Sequence, residues 1–397
     1  MRSYKGYLVL IGLALLLQAC GGAGLGTQVP VATETGVAAT QLPVTEGVAT
    51  QEVPPGEFFA TVPLRSGFGY RAPWLEVYFT DPVNPLAVRE VGGVDAFISA
   101  AIVAAHESVD VALRNLTLDS ITQALIVVSR RGVPVRVVTE TDSLVGRSES
   151  TFQVLKDAGI TVVDDQQIGL MNNRFIVIDH KEVWTGSLSY DLAGVFREYN
   201  SLIRVLSPEV AADYTQEFNE MFESNQFGPL VAPLTPYPIV EIQGVQVEVM
   251  FSPDDIVAGR LSKLISEAKE SISFLAYSFA SSDLGTIIRA RAKNGVAING
   301  VLEFDLVDPN QANPNPNLVE ELNFFRQAGL NVLLDRNPEL LNHKIMVIDG
   351  QIVVVGSYDF TNRAENDNDE NVLIIHSEAV AQKFLEEFER VQSRAQP

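Results

Sequence analysis

The sequence predicts an α/β protein built from two copies of one unit, and three observations support this prediction. A motif recurs after 170 residues: residues 171–179 read MNNRFIVID, and residues 341–349 read LNHKIMVID. Other landmarks recur at a nearly constant spacing, and strand-like segments alternate with helix-like segments inside each copy. Strands that alternate with helices indicate a mixed sheet covered on both faces. We therefore expect two equivalent α/β domains.

The spacing between the two copies is constant except for one step. HESVDV at 106–111 matches KESISF at 269–274, an offset of 163, whereas AGI at 158–160 matches AGL at 328–330, an offset of 170. We assign the seven extra residues to 308–317, whose sequence DPNQANPNPN is typical of an exposed loop. A single loop-sized insertion between fixed landmarks indicates duplication of a whole domain.

The elements of each copy follow from the hydrophobic periodicity. Each copy is predicted to begin with helix, strand, helix and strand, and the motif strand follows after a further helix and an Ala-Gly turn. The four opening elements are 94–105, 108–113, 120–131 and 134–138 in the first copy, and 258–268, 271–276, 283–293 and 297–303 in the second.

A proline-rich segment separates the two copies. Residues 227–238 read FGPLVAPLTPYP, and prolines at this spacing disfavour both helix and strand. We therefore predict a first domain at 73–226, a linker at 227–244 and a second domain at 245–397.

The composition limits the classes of partner. The chain has 397 residues, 46% of them hydrophobic, which is enough for two domains with proper cores. It carries 28 Lys and Arg against 50 Asp and Glu, a net charge of −22. Nucleic-acid binders normally carry a basic surface, because neutralisation of phosphates supplies most of their affinity. The charge therefore disfavours nucleic acid as a partner.

The N-terminus has the layout of an export signal. Arg2 and Lys5 precede the apolar run 7–17, which is too short for a comfortable membrane span. The following sequence, Leu-Gln-Ala-Cys20, looks like a bacterial lipobox, in which the cysteine is lipidated and becomes the mature N-terminus. We expect a signal peptide at 1–20 and a protein outside the cytoplasm, anchored by lipid to the bacterial cell membrane. The alternative is an incidental thiol, since Cys20 is the only cysteine in the chain.

A tether is expected after the signal peptide. From residue 21 to about residue 64 the chain has no Lys or Arg and shows no sustained helical or strand period. We predict a disordered tether over 21–72. A short strand near Phe58 and Phe59 is the alternative.

The repeated motif carries a recognisable chemistry. In both copies a polar residue, a basic residue two positions later and an aspartate five positions after that are followed by Gly-Ser, at Gly186-Ser187 and Gly356-Ser357. This pattern resembles the HxKxxxxD signature of the phospholipase D superfamily, in which two copies face each other to build one phosphodiesterase site. The resemblance covers about residues 73 to 395. It implies two phospholipase D-like repeats packed as a pseudo-twofold pair, so a monomer with an internal pseudo-dimer is sufficient.

Both histidine positions of that signature hold asparagine, namely Asn172 and Asn342. In the family one histidine attacks phosphorus and the other protonates the leaving group. This chemistry needs an imidazole, which offers a nucleophilic lone pair near neutral pH and can also hold a proton. An asparagine amide can do neither.

The chain has four histidines that are candidates for a replacement imidazole. His343 is the nearest to the motif, but strand side chains alternate between faces, so His343 should point away from Asn342 and Lys344. We expect it to pack behind the sheet, although a bulge would turn it inward. The other three histidines, His106, His180 and His376, lie at a helix end, in a turn and at the end of the last strand.

The remaining motif residues are suited to holding an anion. By the resemblance, Arg174 and Lys344 occupy phosphate-contacting positions, and Ser187 and Ser357 occupy hydroxyl-donor positions. Arginine favours bidentate contact with oxyanions. A surface or interdomain salt bridge is the alternative for each basic residue. No metal and no cofactor are expected.

Three further acidic residues match the family pattern. Asp179 and Asp349 take the motif aspartate positions, with Arg174, Lys344 or backbone amides as expected partners. Glu370 fits the family's glutamate after the second Gly-Ser. Tyr199-Asn200 takes that place in the first copy, so the site is altered in several places, and more in the first copy.

Three hypotheses follow for the function. The first is a catalytically silent lipoprotein that binds a phospholipid headgroup, another phosphate-bearing ligand or a protein partner. The second is an active phosphodiester hydrolase or transferase, acting through an inward His343 or an unrecognised route. The third is a scaffold whose cleft is closed by an ion pair between Arg174 and Asp349 or between Lys344 and Asp179.

Overall fold

The computed structural model describes residues 58–230, 234–311 and 314–397. The predicted signal peptide and most of the predicted tether lie outside these residues. Both repeats belong to one compact unit.

The first repeat contains a nine-stranded sheet in the order β1-β2-β3-β9-β8-β7-β4-β5-β6. Its strands are β1 Ala60–Val62, β2 Gly67–Arg71, β3 Leu75–Thr80, β4 Val109–Leu113, β5 Val135–Thr139, β6 Thr161–Asp164, β7 Arg174–Ile178, β8 Glu182–Gly186 and β9 Ser201–Leu206. Its helices are α1 Asp95–Ala104, α2 Asp119–Arg130, α3 Gly146–Asp157, α4 Leu192–Phe196 and α5 Pro208–Ser224. Strands β4, β5 and β6 are parallel and their neighbours antiparallel, so the sheet is mixed.

The second repeat follows the same plan with eight strands, in the order β10-β11-β17-β16-β15-β12-β13-β14. Its strands are β10 Ile239–Ile242, β11 Val245–Ser252, β12 Ser271–Ala276, β13 Ala297–Leu302, β14 Asn331–Leu334, β15 Lys344–Ile348, β16 Ile352–Gly356 and β17 Glu370–His376. Its helices are α6 Val257–Glu267, α7 Ser282–Lys293, α8 Pro316–Gln327, α9 Asn362–Asn366 and α10 Glu378–Gln392. The longer connection of this repeat lies between β13 and α8, where the insertion was predicted.

The two sheets share one hydrophobic core with α5 and α10. The ring of Phe384 on α10 packs against Phe79 of the first repeat, with ring centroids 5.2 Å apart. Tyr214 on α5 packs in the same way against Phe251 of the second repeat, at 5.0 Å. Two further cores, one in each repeat, lie under α1 to α3 and under α6 to α8. Each sheet is thus covered on both faces, as the sequence predicts.

The two repeats also contact each other through two equivalent backbone bridges. Met171 forms a bridge with Asp369, and Leu341 forms the equivalent bridge with Tyr199. Each residue of one pair lies 170 positions from its counterpart in the other. Contacts in which one patch meets its own equivalent are the mark of twofold symmetry. The predicted pseudo-twofold pair is therefore present.

Two predicted domain boundaries need correction. The predicted tether at 21–72 includes β1 and β2, which pair with each other and join β3, so residues 60–71 belong to the first sheet. The alternative strand near Phe58 and Phe59 was closer to the structure. The predicted linker at 227–244 includes β10, which pairs with β11 through a turn at Gln243 and Gly244. Alternation in four-residue strands such as β10 is too brief to stand out in a proline-rich sequence.

Within the described ranges, none of the helices is long and apolar enough to cross a membrane.

Candidate functional site

The site lies where the two motif strands begin, at the junction of the two repeats. Asn172 precedes β7 and Asn342 precedes β15 by two residues, and both side chains are buried. The backbone N–H of Asn172 donates to the carbonyl of Asp369 at 3.0 Å, and that of Asn342 donates to the carbonyl of Tyr199 at 3.0 Å. Each asparagine is therefore fixed by the opposite repeat. The two half-sites therefore meet in one region between the repeats, here called the cleft.

In each repeat, one glutamate binds the backbone just before the motif strand. Glu140, which follows β5, accepts the N–H of Met171 at 2.7 Å, and Glu303, which follows β13, accepts the N–H of Leu341 at 2.5 Å. Burial raises the pKa of Glu303 to about 7 and also raises that of Glu140. Sequence reasoning missed this pair, although the two residues recur at the 163-residue offset.

Asn172 is oriented by a buried carboxyl group of the second repeat. Its Nδ2 donates to Oε2 of Glu370 at 2.9 Å, and its Oδ1 lies 3.4 Å from Nη2 of Arg174. Glu370 also accepts from Nδ2 of Asn368 at 3.0 Å. Burial, followed by the charge of Asp359, raises the pKa of Glu370 to about 8. The carboxyl group can therefore hold a proton near neutral pH.

Asn342 faces a different set of partners in the first repeat. Its Nδ2 lies 2.9 Å from the carbonyl of Ser187, 3.0 Å from Oδ1 of Asn200 and 3.2 Å from Oγ of Ser189. Oε2 of Glu198 lies 3.3 Å away. An amide has two N–H groups, so these four acceptors share them. The two half-sites are thus inequivalent, because Asn172 faces a carboxyl group and Asn342 faces mainly neutral oxygens.

Both cations of the cleft are buried. Arg174 donates to the carbonyl of Ser187, and Oγ of Ser189 lies 3.5 Å from its Nη1. Nζ of Lys344 donates to Oδ1 of Asn342 at 3.0 Å and forms an ion pair with Oδ1 of Asp359 at 3.2 Å. Burial lowers the pKa of both cations. Two buried cations from opposite repeats can serve one anion from two sides.

The two serines fasten neighbouring strands. Oγ of Ser187 donates to Oδ1 of Asn200 at 2.9 Å and accepts the N–H of Ser201 at 3.0 Å. Oγ of Ser357 accepts from the backbone and side chain of Asn371 at 3.0 and 3.3 Å. Both serines are fully buried, whereas Ser189, two residues further on, is only half-buried. The hydroxyl proton of Ser187 is thus committed to Asn200.

The motif aspartates lie outside the cleft. Asp179 accepts the backbone N–H groups of His106, Glu107 and Ser108 at 2.6 to 3.1 Å. Asp349 accepts those of Lys269, Glu270 and Ser271 at 2.8 to 3.1 Å. These amide contacts lower the pKa of both aspartates despite partial burial. Of the expected partners, backbone amides are the ones found, and the ion pairs of the scaffold hypothesis do not form.

His343 packs behind the sheet, on the face opposite Asn342 and Lys344. Its Nε2 lies 3.0 Å from Oε1 of Glu387 on α10, and its ring stacks near Tyr199. The equivalent position in the first repeat shows the same arrangement, because Nδ2 of Asn173 donates to Oε1 of Glu217 on α5 at 3.0 Å. The other histidines lie elsewhere: His180 contacts Ser108, His376 contacts Glu248, and His106 follows α1.

Three carboxylates outside the cleft lie close to one another. Oxygens of Glu217, Glu220 and Asp254 lie within 4.8 Å of one another, a spacing that permits a metal ion. Burial, followed by the nearby acidic side chains Glu220 and Asp255, raises the pKa of Asp254 to about 7. This group could not be predicted from the sequence, because its members come from α5 and from the turn after β11.

Comparison with known proteins gives a consistent result. The model of the family "Cardiolipin synthase, PLD-like domain" matches residues 98–222 and 261–392, well over half of the chain. Human mitochondrial cardiolipin hydrolase is 29% identical over 138 residues, which cover 35% of this chain and 52% of the hydrolase. The chain thus spans about half the length of that relative. Phospholipase D of Rickettsia prowazekii is 26% identical over 186 residues, covering 47% of this chain and 87% of that protein.

A solved structure supports the two-repeat arrangement. Phosphatidylserine synthase of Haemophilus influenzae superposes with a TM-score of 0.58 over 77% of this chain and 85% of its own, at 13% sequence identity. At this identity the likeness bears on the fold alone. Together with the matched segments of both repeats, it shows that the chain belongs to the phospholipase D superfamily and contains two phospholipase D-like domains.

Proposed function

We propose that this protein binds a phosphate-bearing ligand in the cleft between its two repeats and hydrolyses phosphodiesters little or not at all. One observation carries the proposal: Arg174 and Lys344 lie buried in the cleft, while both positions that need imidazole hold asparagine. The cations supply attraction for a phosphate group. Neither Asn172 nor Asn342 supplies a nucleophile or a titrating group.

A phospholipid phosphate is the ligand class that the relatives favour. The names of cardiolipin hydrolase and phospholipase D indicate that these proteins act on phospholipids. The net charge of −22 argues in the same direction, because it opposes binding of a polyanion such as DNA or RNA. A phospholipid headgroup presents one phosphate to the cleft and leaves the acyl chains outside.

The absence of catalysis can be tested with a chromogenic phosphodiester such as bis(p-nitrophenyl) phosphate. We expect turnover at the level of a heat-denatured control, because the lost nucleophile and general acid are each worth orders of magnitude in rate. The His343→Ala variant should behave like the parent. Strong turnover that disappears in His343→Ala would instead support the active hydrolase hypothesis.

The cellular setting is proposed from the sequence. A lipid on Cys20 would hold the protein at the outer face of the cell membrane, where phospholipid headgroups are present. Metabolic labelling with a tagged fatty acid should mark the parent and leave Cys20→Ser unmarked. Equal label in both proteins, or label in neither, would refute lipidation at this residue.

A further inference from the structure

The two half-sites differ at one position on the rim of the cleft. Ser189 and Asp359 are equivalent at the 170-residue offset, and each follows the Gly-Ser of its repeat by two residues. Oδ1 of Asp359 lies 3.2 Å from Nζ of Lys344, with 17% of the Asp359 side chain exposed and 1% of the Lys344 side chain exposed. Ser189 instead offers a neutral hydroxyl near Arg174. Among the described residues, Lys344 therefore forms an ion pair with a carboxylate, whereas Arg174 forms none.

The charges around Asp359 come from several elements. Its carboxylate acts on Lys344 of β15, Arg174 of β7 and Glu370 of β17, and on the phenols of Tyr277 and Tyr358. Glu198 adds a further carboxyl group that interacts with both cations. Of the carboxyl groups of Asp359, Glu370 and Glu198, that of Asp359 forms the ion pair with a cation and lies at the partly exposed rim.

We propose that Asp359 is a specificity-determining residue that occupies the place a phosphate oxygen would take on Lys344. An entering anion must displace this carboxylate, because two anions cannot share one buried ammonium group without strong repulsion. The cleft therefore admits ligands of low negative charge and excludes highly charged anions. This inference rests on the proposed function of the cleft.

Reciprocal exchange of the two equivalent residues tests the proposal. Calorimetric titration with dimethyl phosphate, a monoanion, should show binding to Asp359→Ser that is roughly ten- to a hundredfold tighter than to the parent, the scale of a charge-assisted contact. Ser189→Asp should weaken binding by a similar factor. Asp119→Asn removes a carboxylate whose side chain is 83% exposed and pairs with Arg147, so it should change little.

Thermal unfolding supplies a second readout of the same variants. Loss of Asp359 leaves the buried Lys344 without its counter-ion, so Asp359→Ser should unfold at a lower temperature. Dimethyl phosphate should then raise that temperature more than it does for the parent. If Asp359→Ser fails to fold, Asp359→Asn keeps the shape of the side chain and removes its charge.

The outcomes separate this inference from the proposed function. If the parent binds and removal of the Asp359 charge leaves the affinity equal or weaker, the inference is overturned and the proposed function stands. If folded parent, Asp359→Ser and Asp359→Asn all fail to bind, the proposed function fails as well.

Discussion

At the scale of single residues, the two asparagines keep the surroundings that an imidazole would use. Asn172 donates a hydrogen bond to Glu370, and a histidine N–H placed there has the same acceptor within reach. Asn342 lies among four acceptors of the first repeat. The site therefore lacks the two imidazoles but retains the hydrogen-bond acceptors that surround both positions.

The double variant Asn172→His with Asn342→His tests this interpretation. We expect it to fold like the parent and to hydrolyse bis(p-nitrophenyl) phosphate at least about 100-fold faster, the lower range for general acid–base catalysis. Adding Lys344→Ala should abolish the gain. A well-folded double variant without any gain would show that more than imidazole is missing.

His343 provides a residue-scale prediction about stability. His343→Ala removes the contact to Oε1 of the buried Glu387, whose Oε2 still accepts from Arg390, so we expect a loss of about 1 to 3 kcal/mol in unfolding free energy. The affinity for phosphate should be unchanged, because the ring lies behind the sheet. The matched variant His343→Asn copies the Asn173 contact of the first repeat and should lose less. Denaturant unfolding and calorimetry measure the two effects separately.

At the scale of elements, the motif aspartates tie the segment after α1 to the end of β7, and the segment after α6 to the end of β15. Each aspartate accepts three backbone N–H groups, which lose their acceptor when the side chain is removed. Asp179→Ala and Asp349→Ala should therefore each destabilise the fold by roughly 1 to 3 kcal/mol without changing phosphate affinity.

The same contacts predict a dependence on pH. Because the folded state lowers the pKa of Asp179 and Asp349, their contribution is fully present above about pH 4, the ordinary value for aspartate, and is lost as the pH falls further. Chemical unfolding between pH 7 and pH 3 should show a smaller acid-induced loss for Asp179→Ala than for the parent. A parallel loss in both proteins would contradict this assignment.

Much of the element plan could be predicted from the sequence. Duplicated landmarks and alternating periodicity predicted the mixed sheets, the insertion and the boundaries of helices α1, α2, α6 and α7 to within one residue. Strand alternation also predicted that His343 would face away from Lys344. These features depend on local pattern, which the sequence displays directly.

Other features could not be predicted because they depend on tertiary contacts. The strands β1 and β2 have ordinary composition and are defined by pairing with β3. The approach of Glu198 to Asn342 joins residues 144 positions apart across the two repeats. The motif alone allowed several partners for Asp179, and backbone amides were one of them. Sequence separation of this size leaves no local signal.

At the scale of the whole molecule, the pseudo-twofold arrangement concentrates opposing charges in one cleft. Arg174 and Lys344 attract an anion, whereas the carboxylate of Asp359, which pairs with Lys344, opposes it. We expect that attraction prevails for a phosphate of low charge. The proposed function therefore depends on whether the cleft binds phosphate.

Calorimetric titration of the parent and Lys344→Ala measures this binding, with inorganic phosphate and a soluble glycerophosphodiester in separate runs to distinguish free phosphate from a lipid headgroup. We predict that phosphate binds to the parent. Lys344→Ala should lose roughly 1 to 3 kcal/mol of this binding free energy, as for a lost charge-assisted contact. Lys181→Ala, which removes an exposed lysine paired with Glu107, should bind like the parent. No binding of either ligand to the folded parent, with no effect of Lys344→Ala, would mean that the cleft is closed and that the protein is a scaffold.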